Sequence, residues 1–259
     1  MLSLEQIEQQ YPESLRPFKQ SLLREYLQYK ILQIMFASEY ARELSFIGGT
    51  ALRIVYGNQR FSEDLDFDNF GLSLEGLTEL AQVVRAGLEA EGLNIEIDIT
   101  SKGAYRCRVR VLDILFDNEL SLHRDEKILI QIDSAAHNIA YSPDRQILNK
   151  FDVFSEIFVT PVDILLSQKI NAALNRKRAK GRDFYDIVFL LSFTKPDYQY
   201  LQQKLGIENA DALRKHLLTA TEGFDFKALA RDVQPFLFHA EDARKVELFR
   251  EYIAQAALT

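Results

Sequence analysis

The sequence predicts an α+β fold: a mixed sheet with flanking helices over residues 1–159, followed by a helical half over residues 160–259. Three observations predict it. Apolar residues recur at helical spacing over residues 15–41 and 73–91. The spacing then switches to alternation between residues 93 and 133. Beyond Thr160-Pro161 it turns helical again almost to the end. The halves are joined without a repeat, a low-complexity tract or a long Pro/Gly/Ser linker, which predicts an extended interface between them.

The elements follow in order. Residues 15–41 read as one long helix, with Pro17 suited to its first turn and an apolar face through Leu22, Leu23, Tyr26, Leu27, Ile31, Ile34 and Met35. Residues 44–47 form a short strand, 50–56 a helix and 65–67 a second strand. The helix over 73–91 has Ser73 at its N-cap and Gly92 just past its end. Two alternating segments, 93–100 and 105–116, form a hairpin around a turn at Ser101-Lys102-Gly103. Residues 128–133 make a further strand and 157–159 a short last one. Thr160 then caps a helix whose first position is Pro161.

Composition narrows the function. At 259 residues the chain has room for one large or two smaller cores. A net charge of −7 argues against nucleic-acid binding through overall charge, though not against a local basic patch. Cys107 is the only cysteine, which rules out an intrachain disulfide and fits a reducing cytoplasm. Glu5, Glu8, Arg16 and Lys19 break up the first apolar stretches, so a signal peptide or membrane span is not expected. Cys107 stands among Arg106, Arg108 and Arg110 in an alternating strand and is given no catalytic role. His123, His137, His216 and His239 lack metal-ligand spacing. The aromatics between Phe224 and Phe238 read as core.

The most informative stretch is FIGGTALRIVYGNQRFSEDLDFD, residues 46–68. A strand ends in Gly48-Gly49-Thr50 and a helix follows, so backbone N–H groups face the helix start, where negative charge is favoured. Asp64 and Asp66 are two apart in a strand, so their carboxylates share a face with Cα atoms roughly 6.5–7 Å apart. Hard oxygen ligands placed this way suit Mg²⁺ and in-line chemistry at a phosphate. Taken singly, a Gly-Gly-Thr is an ordinary turn and an Asp-x-Asp an ordinary strand end; their joint occurrence is the signal.

Three further features extend that pattern. Asp133, at the end of an apolar strand, is the candidate third carboxylate for the metal; Asp98 and Asp117 rank behind it because both are assigned to the outer hairpin. Lys169 flanks the buried stripe of Leu165, Leu166, Ile170 and Ala173, where it is placed to offset charge on a leaving pyrophosphate. The commoner fate of a helical lysine is to snorkel. The run Arg176, Lys177, Arg178, Lys180, Arg182 is the strongest cationic feature and suits an RNA backbone, against the usual fate of a solvated face. Placed two helical turns beyond Lys169, it lies roughly 10 Å along the axis. It leads into Asp183 and Asp186, which share a helix face.

These joined motifs, GGTALRIVYGNQRFSEDLDFD, the Lys169 helix and GRDFYD at 181–186, resemble the AbiEii/AbiGii toxin family of nucleotidyltransferases, which includes the MenT toxins. The resemblance spans roughly residues 40–195 and is specific only as a set. It implies a DNA-polymerase-β-like nucleotidyltransferase sheet. Gly48, Gly49 and Thr50 would hold the triphosphate, Asp64 and Asp66 would bind Mg²⁺, and Lys169 would contact phosphate. Asp183 would be the helical-half acid, with Asp186 its rival. Some antitoxin kinases of this family phosphorylate a serine that Ser62 matches; phosphate there would set like charge beside the acids and block NTP.

Family members act in toxin–antitoxin or phage-defence modules, and those best understood add nucleotides to tRNA 3′ ends. The resemblance therefore implies transfer of NMP to an RNA, with NTP, an RNA acceptor and a cognate antitoxin as partners and no membrane. Arg176, Lys177 and Arg178 would bind the RNA, and Asp133 is the natural candidate for general base. Two other functions stay open: transfer to a protein or small-molecule hydroxyl, and a non-catalytic NTP-binding module. Intact Gly48, Gly49, Asp64 and Asp66 weigh against the last.

Overall fold

The computed structural model describes residues 1–100 and 105–259, so the turn expected at Ser101, Lys102 and Gly103 lies outside the described residues. The chain divides into two compact units, one of Met1–Val55 and Phe61–Val159, the other of Tyr56–Arg60 and Thr160–Thr259. Tyr56–Arg60, which the sequence assigns to the first half, thus groups with the second unit.

The strands of the first unit are β1 (Leu44–Ile47), β2 (Leu65–Asn69), β3 (Asn94–Thr100), β4 (Tyr105–Leu112), β5 (Ile128–Ala135), β6 (Asp144–Lys150) and β7 (Val153–Val159). Its helices are α1 (Leu4–Glu8), α2 (Lys19–Phe36), α3 (Gly48–Ile54), α4 (Leu74–Ala90) and α5 (Ile114–Asp117). The strands form one seven-stranded sheet in the order β3-β4-β5-β2-β1-β7-β6. It is mixed: β2 runs parallel to β5 and β1 parallel to β7, while β1 and β2 are antiparallel. Period-two alternation puts Leu65 and Phe67 on one face, both buried, and Asp66 and Asp68 on the other.

The elements depart from the expected bounds for local reasons. α2 is shorter than the predicted helix, because its flanks tighten into 3₁₀ turns at Glu13–Leu15 and Glu39–Glu43. It is buried on most sides, so its few buried polar groups, Glu25, Gln28 and Lys30, all have partners. The β4 segment stops at Leu112. Asp113 adopts φ 58° and takes Arg124 and Asn94 on its carboxylate, which turns the chain into α5. Asp117 therefore lies in a short helix and not in the hairpin. β6 was not expected and β7 is longer than expected. Both carry polar residues where an edge hairpin meets water, and their turn at Phe151 (φ 60°) is held by edge-on packing of its ring on Tyr26 and Tyr29.

The second unit is helical: α6 (Val162–Asn175), α7 (Gly181–Leu191), α8 (Tyr198–Leu205), α9 (Ala210–Ala220), α10 (Phe226–Val233), α11 (Arg244–Glu247) and α12 (Phe249–Gln255). Thr160 is not the cap of α6; Pro161 occupies that position without a side-chain hydrogen bond, and the Asp163 carboxylate accepts from the Ile164 N–H instead. Phe184 anchors the core, with Phe224, Phe226 and Phe249 set edge-on around it. Gly181 opens α7 where a Cβ would meet the Leu229 carbonyl oxygen at 1.9 Å, so only glycine lets α7 and α10 approach this closely. Among the described residues no helix is long and apolar enough to cross a membrane.

Candidate active site

The glycine turn and the acid pair meet in the first unit. β1 and β2 pair with Ile47 opposite Asp66, so the residue that follows β1, Gly48, falls beside that carboxylate. Gly48 has φ +80°, and a Cβ there would lie 2.2 Å from Asp66 Oδ2 and 2.9 Å from Asp66 Cβ. The missing side chain is thus required twice, by the backbone and by the acid. Asp64 and Asp66 are half-buried. The Thr50 hydroxyl is fully buried and donates to the Asp64 carbonyl oxygen. Its side chain therefore positions the acid-bearing segment and does not reach for a phosphate. Partly exposed Ser62 is fixed through its backbone: buried Gln28 donates from Nε2 to the Ser62 and Glu63 carbonyls, both at 3.0 Å.

Asp133 sits in register beside Asp66 across the parallel β2–β5 pair, on the same face of the sheet. β5 runs two residues further than expected, to Ala135. Its carboxylate is gripped by Arg106, 2.9 Å from Nε and 3.3 Å from Nη2, and accepts from Gln131 at 3.0 Å. Asp133, and more weakly Asp64, favour the charged form of that guanidinium. Among the described residues no three His, Cys, Asp or Glu side chains gather into a set able to hold a metal ion. Asp64, Asp66 and Asp133 do not form such a set among the described residues, and the third acid is engaged by Arg106.

Asp68 went unnoticed in the sequence, although it continues the alternation of Asp64 and Asp66. It is buried and accepts from the His137 N–H at 2.9 Å and the Tyr141 hydroxyl at 2.7 Å, which ties the segment after β5 to β2. His137 makes this bond through its backbone N–H. Cys107 is buried, and burial pushes its thiol up to about 12, consistent with a core residue. Arg53, on the helix that begins at Gly48, meets buried Glu25 at 2.8 Å; Lys150 meets the same carboxylate at 2.8 Å. Burial opposes the charge on Glu25, but Arg53 and Lys150 outweigh it and hold the carboxyl below its ordinary range.

The second unit carries its own charged cluster. Lys169 Nζ lies 2.8 Å from Asp186 and 3.8 Å from Asp183. Asp186 is fully buried, takes both arms of Arg60 at 2.7 Å and accepts from Asn58 at 2.8 Å. Burial works against its ionisation, yet Arg60 and Lys169 prevail and hold the carboxyl at about 2. Such a saturated carboxylate is a structural anchor. Asp183, the other candidate, is also buried, but its Oδ2 makes no hydrogen bond of good geometry; Arg176 Nε lies 3.2 Å from it. Nothing in the sequence near Asn58 and Arg60 flagged them as partners of an acid over a hundred residues away.

The basic run departs from the expected helix. α6 ends at Asn175, so Arg176, Lys177 and Arg178 occupy the loop before α7 and are exposed. The helical 10 Å spacing does not apply, and Arg176 is turned inward to Asp183.

With this geometry in place, comparison with known proteins adds a family. A model of the family described as "Nucleotidyl transferase AbiEii toxin, Type IV TA system" matches residues 30–255. Among curated proteins none matches. Similar solved structures include JHP933 from Helicobacter pylori, with 20% identity over 90% of this chain and 91% of that one and a TM-score of 0.56. Another H. pylori protein, described as a candidate nucleotidyltransferase, shares 20% identity over 90% of this chain and 94% of its own, at a TM-score of 0.58. At these identities the two structures speak to the fold.

Proposed function

Since the chain belongs to the AbiEii nucleotidyltransferase toxin family of type IV toxin–antitoxin systems, we propose that it transfers NMP from an NTP to an RNA acceptor, a tRNA 3′ end, in a Mg²⁺-dependent reaction. In this reading it is the toxin of a cytoplasmic phage-defence module and is restrained by a cognate antitoxin. The observation that carries the enzymatic part is the seating of Gly48 directly against Asp66, with Asp64 two residues away, just before β2, its carbonyl held by Thr50. That arrangement joins a phosphate-facing helix start to a pair of oxygen ligands.

The donor set fits Mg²⁺, which is commonly held by one or two carboxylates together with substrate phosphates. Asp64 and Asp66 would hold it, and once bound it would supply positive charge against the triphosphate. The chain's own groups do the rest. Backbone N–H groups of Gly48 and Gly49 face the phosphates, and Thr50 fixes Asp64 through its carbonyl. Asp133, engaged by Arg106, is assigned to ordering the acidic face and not to the ion. Lys169 is assigned the phosphate contact, its ammonium oriented by Asp186, and Asp183 the role of helical-half acid. The acceptor 3′-hydroxyl oxygen bonds to the α-phosphorus as the bond to pyrophosphate breaks, and the hydroxyl proton passes to water. Ser62 is the candidate site at which phosphorylation would place like charge beside Asp64.

The test is incubation of the protein with labelled NTPs, tRNA and Mg²⁺. Label should enter the RNA with wild type and fall by about 10²–10³-fold in Asp64→Asn, the scale of losing a charge-stabilising group. A thermal melt should show the variant folded. Transfer within a few-fold of wild type in that variant would overturn the assignment.

A further inference from the structure

The loop holding the basic run borders a cavity of about 340 Å³ in the second unit, walled by Arg178, Phe224, Asp225, Ala228 and Asp232. That is near the small end of ligand pockets, about 300–1,000 Å³, and too small for a duplex or a peptide helix. The sequence placed Phe224 in the core, yet it is 37% exposed. Its covered side is fixed by core aromatics, with Phe184 edge-on at 6.1 Å and Phe226 tilted at 6.4 Å. The ring is therefore a rigid platform with open surface. Arg178 is exposed beside it, and Arg176, spent on Asp183, is not part of the wall.

The two acids decide what the cavity accepts. Asp225 Oδ1 accepts from the Ala228 N–H at 2.9 Å and Asp232 Oδ2 from the Gly181 N–H at 2.9 Å, so both carboxylates are held in place. A phosphate inside would face two fixed negative charges. A nucleobase would find a π face to stack on and acceptors for exocyclic N–H groups. We infer that the cavity takes an unstacked nucleobase of the acceptor RNA, lying on Phe224, with Arg178 at the rim on the adjoining phosphate. This rests on the RNA-acceptor reading above and adds to it the place where one base is received.

The experiment measures binding of bulk tRNA and of a short single-stranded RNA across a KCl series. Wild type, Phe224→Leu, Phe224→Trp and Arg178→Gln are compared, with thermal melts and NTP affinity in parallel. Phe224→Leu should weaken RNA binding about tenfold at every salt concentration without changing the salt slope, because stacking releases no counterions. Phe224→Trp should keep the affinity. Arg178→Gln should lower the slope by about 0.7, and NTP affinity should stay constant throughout. If wild type binds RNA and Phe224→Leu binds it within about twofold as well, the base pocket is overturned while the RNA acceptor stands. Equal loss in the Leu and Trp variants with lowered melts would make Phe224 structural and also overturn it. Wild type that neither binds nor labels RNA would overturn both readings.

Discussion

Replacing Gly48 by alanine tests the geometry that joins the glycine turn to the acid pair. The backbone at φ +80° costs an L-residue about 1–2 kcal/mol. The added Cβ would also lie 2.2 Å from Asp66 Oδ2, and ordinary contact begins at 3.4 Å, so the two must part by about 1.2 Å. Rotation of the carboxylate alone does not relieve this, because Asp66 Cβ is itself only 2.9 Å away. The strand or the turn has to move. A misplacement of about 1 Å in a reacting constellation costs on the order of a hundredfold in rate. The expected result is a roughly hundredfold loss of nucleotide transfer with a modest loss of stability. Gly92→Ala is the matched control: it has φ +87° and no heavy atom within 4 Å of the added Cβ. It should lose only the backbone cost, about 1–2 kcal/mol, and keep its activity. Chemical denaturation and labelled-NTP transfer on both variants decide the matter. Gly48→Ala activity within a few-fold of Gly92→Ala would refute the reasoning.

The Asp186 cluster gives a pH signature. Its carboxyl titrates at about 2 against an ordinary 3.8, so its stabilisation is present above about pH 4 and is lost as pH falls through 2. It amounts to about 2 kcal/mol; denaturation at a series of pH values should show this component in wild type and not in Asp186→Asn. Arg60→Met should destabilise by about 3–5 kcal/mol, since it leaves a buried carboxylate short of its main partner; an unchanged urea midpoint would refute that role. Lys169→Ala should cut transfer strongly and Lys169→Arg restore it poorly, because a planar fork does not replace a point charge; steady-state turnover equal to wild type in Lys169→Ala would return this lysine to packing. Gly181→Ala should lower the melting temperature sharply, since its Cβ would strike the Leu229 carbonyl, and a melt equal to wild type would show that α7 and α10 can part.

The sequence made local features legible and left pairing hidden. Alternation found the β3–β4 hairpin, and Ser73 and Gly92 marked the ends of α4, with Ser73 Oγ accepting from Gly76 N–H at 3.0 Å. The polar edge strand β6 escaped because an edge that meets water on its outer side needs few apolar residues. The acids Asp64 and Asp66 were readable from their spacing. Arg106 was not, because its role depends on lying opposite Asp133, and register across strands is invisible without the fold. Asn58 and Arg60 were missed for the same reason on a longer scale. Thr50 was readable as part of the motif, but its burial, which turns its hydroxyl onto the backbone of Asp64, was not.

The grouping of Tyr56–Arg60 with the second unit has a consequence for the order in which the protein is made. These five residues sit in the chain between the glycine turn and the acid pair, and Arg60 precedes its partner Asp186 by 126 residues. At ribosomal speeds of about 5–20 residues per second, Asp186 emerges on the order of ten seconds later. Through that interval the nascent chain carries the link between Gly48 and Asp64 with its anchoring guanidinium still solvated. A ribosome halted at residue 159 would hold every strand of the sheet yet could not close this link. Fastening the stretch that joins the two halves of the motif is therefore a late event of synthesis, tied to translation of the helical half.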